Sequence, residues 1–167
     1  MKKRLSLIQM DVHVNEVEYN YARVQELLSQ ALSEKPDIIV LPETWNTGFH
    51  PSKDLINISD RNGERTKALL STFAKEHNVN IVGGSVAVAK EDLVFNTSYA
   101  YNREGTLVGE YSKMHGFSPA KEDQYFASGT HTTHFELDGI PCSTVICYDI
   151  RFPELVRMAA LSNTELL

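Results

Sequence analysis

The sequence is poor in cysteine, in basic charge and in long apolar runs. It holds only two cysteines, Cys142 and Cys147. No secretory signal precedes them, because the apolar run after the basic start Lys2-Lys3-Arg4 soon meets Gln9 and Asp11. A cytoplasmic protein with reduced thiols is therefore expected. Basic residues number 16 against 22 acidic ones, a formal charge of −6. That balance gives no general attraction to nucleic acid. Apolar stretches such as Ile38 to Leu41 fall far short of the roughly 18 residues of a membrane helix. A zinc site would need more ligands than the sequence groups together. The pair His131 and His134 would point to opposite faces of a strand, so no metal is expected. Gly83-Gly84 belongs to no phosphate-binding pattern, and no nucleotide cofactor is expected either. Linkers, tandem repeats and low-complexity tracts are also missing, so residues 1–167 read as one domain.

What is present is the composition of a folded chain, 42% apolar and 23% charged. Arg4 to Met10 reads as a strand. Asn15 is placed to cap a helix, with Glu18 at its third position. Val17, Tyr21, Val24, Leu28 and Ala31 then form one apolar stripe. Asp37 to Leu41 is a short apolar strand of the kind buried on both faces. Thr66, Leu69, Leu70, Phe73 and Ala74 mark a second helix, and Val79 to Val82 a further strand. This alternation predicts a layered α/β protein. After Ser85 the period drops to two. Strands are predicted over 94–101 and 106–111, with a turn at Asn102 to Gly105, and over 132–137 and 140–146. The second pair surrounds Asp138-Gly139, a strong hairpin signal. Pro153 opens a helix reaching about Ala160, and Glu165 to Leu167 reads like the start of another strand.

Three reactive groups share one position relative to these strands. Glu43 follows strand 37–41, Lys113 follows 106–111, and Cys147 follows 140–146. Active sites of α/β proteins collect beyond strand C-termini. There a cation lowers a thiol's pKa and a carboxylate accepts its proton. Placement alone leaves ordinary alternatives open. A cysteine at a strand end often serves as a small buried hydrophobe, and a lone lysine or glutamate is usually solvated.

Three segments carry more information: Leu41-Pro-Glu-Thr-Trp-Asn-Thr-Gly-Phe49, Tyr111-Ser-Lys-Met-His-Gly-Phe-Ser-Pro119 and Val145-Ile-Cys-Tyr-Asp-Ile-Arg-Phe-Pro-Glu154. In this order, each after its strand, they resemble the nitrilase-related carbon–nitrogen hydrolases, over essentially the whole chain. The likeness is greatest to the ω-amidase branch. The resemblance implies a four-layer α-β-β-α sandwich, incomplete at the C-terminus, with roughly the last third of the family's length absent. It implies Glu43 as general base, Lys113 as electrophilic stabiliser and Cys147 as nucleophile. Glu122 would be a second carboxylate beside the lysine, and the backbone N–H of Tyr148 an oxyanion donor. Gly116 stands where many relatives carry a bulky aliphatic residue, which would loosen the loop behind Lys113.

The implied reaction is hydrolysis of the terminal amide of a 2-oxo dicarboxylic acid monoamide. It runs through a cysteine thioester with release of ammonia and needs no cofactor. The expected partner is a small amide, with a homodimer in the full-length form. Arg151 is a candidate for a substrate carboxylate, or else a structural ion pair near Pro153. Trp45, Phe49, Tyr125 and Phe126 either line the pocket or fill the core. Two alternatives stay open: nitrile or N-carbamoyl hydrolysis by the same groups, and a truncated homologue without activity.

Overall fold

The computed structural model describes residues 2–167. Three short strands, β1 (Leu5–Leu7), β2 (Ile38–Val40) and β4 (Asn80–Val82), pair in parallel in the order β1-β2-β4. Long connections between parallel strands carry helices. Here they are α1 (Val17–Ala31) and α3 (Glu64–His77). The antiparallel part follows: β5 (Val86–Lys90), β6 (Leu93–Tyr101) and β7 (Leu107–Ser112). Strand β6 pairs with β5, β7 and β4 and so joins the two halves into one seven-stranded sheet. A short helix α2 (Leu55–Ile58) and the two-residue strand β3 (Asp60–Arg61) complete that sheet beside β5.

Alternation along the strands decides the layers. Ile39 and Leu41 face α1 and α3, in a core with Tyr21, Val24, Leu28, Leu70, Phe73 and Ala74. Ile38 and Val40 face the other way, onto Leu137, Cys142, Phe135 and Ile140. Those four belong to a second sheet, β8 (His134–Leu137) and β9 (Ile140–Ser143). Leu166 adds a parallel bridge to Cys142, so helix α5 (Pro153–Leu161) forms a crossover between two parallel segments. The inner face of this sheet is occupied by the first sheet, which leaves α5 the outer face, where Leu155 and Ala159 are buried. The result is the expected α-β-β-α sandwich. Among the described residues no helix is long and apolar enough to cross a membrane.

Several local expectations need correction. β1 spans only Leu5–Leu7, not 4–10. Asn15 does not cap α1: its backbone is left-handed, with φ 62°, and no side chain caps that helix. Instead the buried Asn20 bonds His13 and Asn46 and ties the entry of α1 to the 42–48 loop. Strand β5 was not foreseen. Its Val-Ala-Val-Ala run is buried on both faces and so shows no polar alternation. β9 stops at Ser143, short of residue 146. By contrast Asp138-Gly139 is the foreseen two-residue hairpin turn, both residues with positive φ.

Candidate active site

The Glu43 loop is sewn to the end of β4. Pro42 O accepts the N–H of Ser85 at 3.0 Å, and Ser85 Oγ accepts the N–H of Thr44 at 3.0 Å. This seam requires Gly84: its φ is +57°, and a Cβ there would lie 2.0 Å from Pro42 O. Thr44 itself takes φ 43°, uncommon for a β-branched residue. Glu43 is thereby held at the strand ends with its side chain 20% exposed.

Lys113 directly follows β7. Its backbone N–H donates to Asn96 O at 2.8 Å. Its ammonium is almost fully enclosed and lies between two carboxylates: Glu43 Oε1 at 2.8 Å, and Glu122 Oε2 and Oε1 at 2.8 and 3.1 Å. Glu122 opens the short helix α4 (Glu122–Tyr125) and is buried. It also accepts the N–H of Phe117 at 2.6 Å. Burial opposes the Lys113 charge, but the hydrogen bonds and charges of Glu122 and Glu43 outweigh it and raise the amine above its ordinary value.

Cys147 opens a tight 3-10 turn, Cys147–Arg151, with φ 48°. Such backbone costs about 1–3 kcal/mol and persists only where its surroundings impose it. The imposing group is Asp149, which is fully buried. Its Oδ2 accepts Ile146 N–H at 3.1 Å and the Tyr111 hydroxyl at 2.7 Å; its Oδ1 accepts the N–H and ring Nδ1 of His115 at 2.9 and 2.8 Å. Diverting Ile146 N–H to this carboxylate pulls the chain away from β9 into the turn. The ring of His115 stacks on Phe152 at 3.6 Å, and Phe117 meets Tyr148 edge-on at 5.1 Å. The lysine loop and the cysteine turn are therefore packed as one unit.

Cys147 is exposed at the surface of this cluster. Burial of its sulfur, then the charge and hydrogen bonding of Glu43, push the thiol above its ordinary value, with Lys113 acting in the opposite sense. The thiol thus stands next to a carboxylate able to take its proton. The half-buried Tyr148 stands in the first turn of the short helix, where backbone N–H groups have no intrahelical acceptor.

The structure brings Glu43, Lys113 and Glu122 into direct contact, with Cys147 beside Glu43. It does not bring the aromatic candidates there. Trp45 is wholly buried in the main core, edge-on to Tyr21, with its indole N–H on Gly83 O. It is a packing residue, not a pocket wall. Tyr125 and Phe126 pack against Leu55, Ala87 and Val94 in a satellite core. Phe49 is half-buried beside His50. Arg151 is exposed and forms no ion pair among the described residues, so the structural alternative at Pro153 has no support. Gly116 does not loosen its loop: a Cβ there would lie 3.3 Å from Asp123 N, and both neighbours donate to buried carboxylates.

Two residues of this site escaped sequence reasoning. Asp149 had one available signal, an acid in an otherwise apolar segment next to a candidate nucleophile. Asn96 donates from Nδ2 to Glu43 Oε1 at 3.0 Å. Its signal was an asparagine in the middle of a strand, where that residue is disfavoured.

The carbon–nitrogen hydrolase family model matches residues 4–167. The chain is 37% identical over 167 residues to the 2-oxoglutaramate amidase of Bacillus subtilis, covering 100% of this chain and 64% of that protein. It superposes on a CN-hydrolase superfamily protein from Xanthomonas campestris, whose active site carries an arsenic adduct, with TM-score 0.81 and 30% identity. That match covers 91% of this chain and 56% of the other. An amidase from Nesterenkonia sp. AN1 shares the fold, with TM-score 0.87 at 21% identity, over 99% of this chain and 65% of that one. The chain thus spans less than two thirds of the length of the curated relatives it matches. The family match over almost every residue, together with the shared sandwich, places the chain in the carbon–nitrogen hydrolase family.

Proposed function

We propose that the protein hydrolyses the carbon–nitrogen bond of a small amide, with Cys147 as nucleophile, Glu43 as general base and Lys113 as oxyanion donor. The observation that carries this reading is the Lys113 ammonium, enclosed between Glu43 and Glu122, with the Cys147 thiol within the influence of both Glu43 and Lys113. A surface lysine would be solvated; this one is held by two carboxylates at a fixed point. Attack by a thiol needs a base to take its proton. Glu43 takes that proton as sulfur adds to the amide carbon and returns it to the departing ammonia. Lys113 and the N–H of Tyr148 receive the developing oxyanion. The resulting thioester is cleaved by water that Glu43 activates. Glu122 keeps the ammonium charged and aimed.

The substrate we favour is the terminal amide of a 2-oxo dicarboxylic acid monoamide. The likeness to a 2-oxoglutaramate amidase supports this choice, and the exposed Arg151 offers a charge for the substrate carboxylate. Ammonia release should be measured from 2-oxoglutaramate, propionamide, propionitrile and an N-carbamoyl amino acid. The expected order places 2-oxoglutaramate first. Cys147→Ser should remove turnover, and Glu43→Gln should lower it by about 10²–10⁴-fold. Turnover that survives Cys147→Ser would overturn the assignment. Faster cleavage of the nitrile or carbamoyl substrate would overturn only the substrate.

A further inference from the structure

We propose that Asn96 is a positioning residue that decides which oxygen of Glu43 exchanges a proton with Cys147, an inference resting on the reading of Glu43 as base. Asn96 lies in β6, paired with Ala87 of β5 and 1% exposed. Its carbonyl accepts the backbone N–H of Lys113 at 2.8 Å, while its Nδ2 donates to Glu43 Oε1 at 3.0 Å. One residue therefore places both the base and the lysine.

Lys113 Nζ donates to the same oxygen at 2.8 Å. Two N–H donors on Oε1 engage its lone pairs, whereas no N–H donor reaches Oε2 among the described residues. A proton on Oε1 would be forced against an ammonium and an amide N–H. Oε2 is left as the basic atom. In the attack the S–H bond breaks, its proton moves to Oε2, and the sulfur electron pair forms the bond to the amide carbon. When the C–N bond breaks, nitrogen takes its electron pair and the proton from Oε2.

Asn96 is also a poor choice for stability alone. Its Oδ1 is buried with no hydrogen-bond partner among the described residues, which is unfavourable. Turning the amide over would set that oxygen against the Glu43 carboxylate. Asparagine is disfavoured in strands as well. A residue that burdens the fold while orienting a reactive carboxylate is more readily explained by the reaction.

The test compares wild type with Asn96→Leu, Asn96→Asp and Glu43→Gln on 2-oxoglutaramate. It also follows the pH dependence of Cys147 alkylation by iodoacetamide, which needs no turnover. Asn96→Leu should fold with a melting temperature no lower than wild type. Its kcat should fall about 10–100-fold with KM within about threefold. The acid limb of both pH profiles should move relative to wild type, a change that lost packing alone would not produce. Asn96→Asp should lose more, increasingly as pH rises and a second carboxylate charge develops. Unmoved pH limbs in Asn96→Leu, whatever happens to kcat, would overturn the proposal. Full turnover in Glu43→Gln would instead refute the base assignment itself, whereas an inactive Glu43→Gln beside a wild-type-like Asn96→Leu would refute only the role of Asn96.

Discussion

Replacing Lys113 by methionine keeps a side chain of similar length and removes its charge. Lys113 is 4% exposed and Glu122 1%, so the change strands a carboxylate away from water. Glu122 loses contacts of 2.8 and 3.1 Å and keeps only the Phe117 N–H. Glu43 is less enclosed and retains Asn96. Removing one partner of a buried ion pair costs about 3–5 kcal/mol. The surviving Phe117 donor and the access of Glu43 to water place Lys113→Met near the lower end, about 3 kcal/mol. That is a large part of a typical stability of about 5–15 kcal/mol. In urea, with a slope near 2 kcal/mol/M, the midpoint should fall by about 1.5 M. The double variant Lys113→Met/Glu122→Gln keeps an acceptor for Phe117 and removes the stranded charge, so it should regain about half the loss. The pH dependence follows from the raised Lys113 pKa. A raised folded value stabilises fully below the ordinary value of 10.5, and the gain is lost as pH rises through the higher folded value. The gap between wild type and Lys113→Met should therefore hold steady from neutrality to that point and narrow above it. A single variant within about 0.5 kcal/mol of wild type, or a double variant weaker than the single, would refute the reasoning.

Iodoacetamide should label Cys147 before Cys142 in the folded protein. The first is exposed, whereas the second is buried with its thiol on the Ile140 carbonyl; peptide mapping that finds Cys142 labelled first would remove Cys147 from the site. Since burial and Glu43 push the Cys147 thiol above its ordinary value, its labelling rate should keep climbing on the alkaline side, and a plateau at neutrality would contradict this. Arg103 joins the two sheets through Asp138, at 2.7 and 2.8 Å, and Asp37 at 3.0 Å. Arg103→Met should cost about 1–2 kcal/mol at neutral pH, since these groups remain partly exposed. Arg103, against burial and with help from Lys3, holds the Asp138 carboxyl well below its usual range. A lowered folded value stabilises above the ordinary 3.8, and the gain is lost as pH falls towards the folded value. Urea unfolding at neutral pH and near pH 3 should show the penalty shrinking; an equal penalty at both would assign it to packing.

The layered α/β order, the stripe of α1 and the Asp138-Gly139 hairpin were legible because each rests on local chemistry. An apolar period, a turn residue or a proline acts over a few positions, and the sequence displays it directly. The positions of Glu43, Lys113 and Cys147 beyond their strands were legible for the same reason, and the three motifs around them pointed to the family. Tertiary structure alone decided how these groups meet. Lys113 reaches Glu43 across 70 positions and Asn96 reaches it across 53. No periodicity encodes such pairs; only the pairing of β2 with β4, β4 with β6 and β6 with β7 brings them together. Asp149 gained its role only when four donors gathered on it from β7, the His115 loop and Ile146. Trp45 was equally ambiguous, since an aromatic ring suits a pocket wall or a core, and the packing of α1 against the first sheet settled it. Sequence determines which groups stand at strand ends, because backbone and side-chain preferences are local. Hydrogen bonding and burial depend on what the fold brings near, so partnership and protonation were decided only by the folded chain.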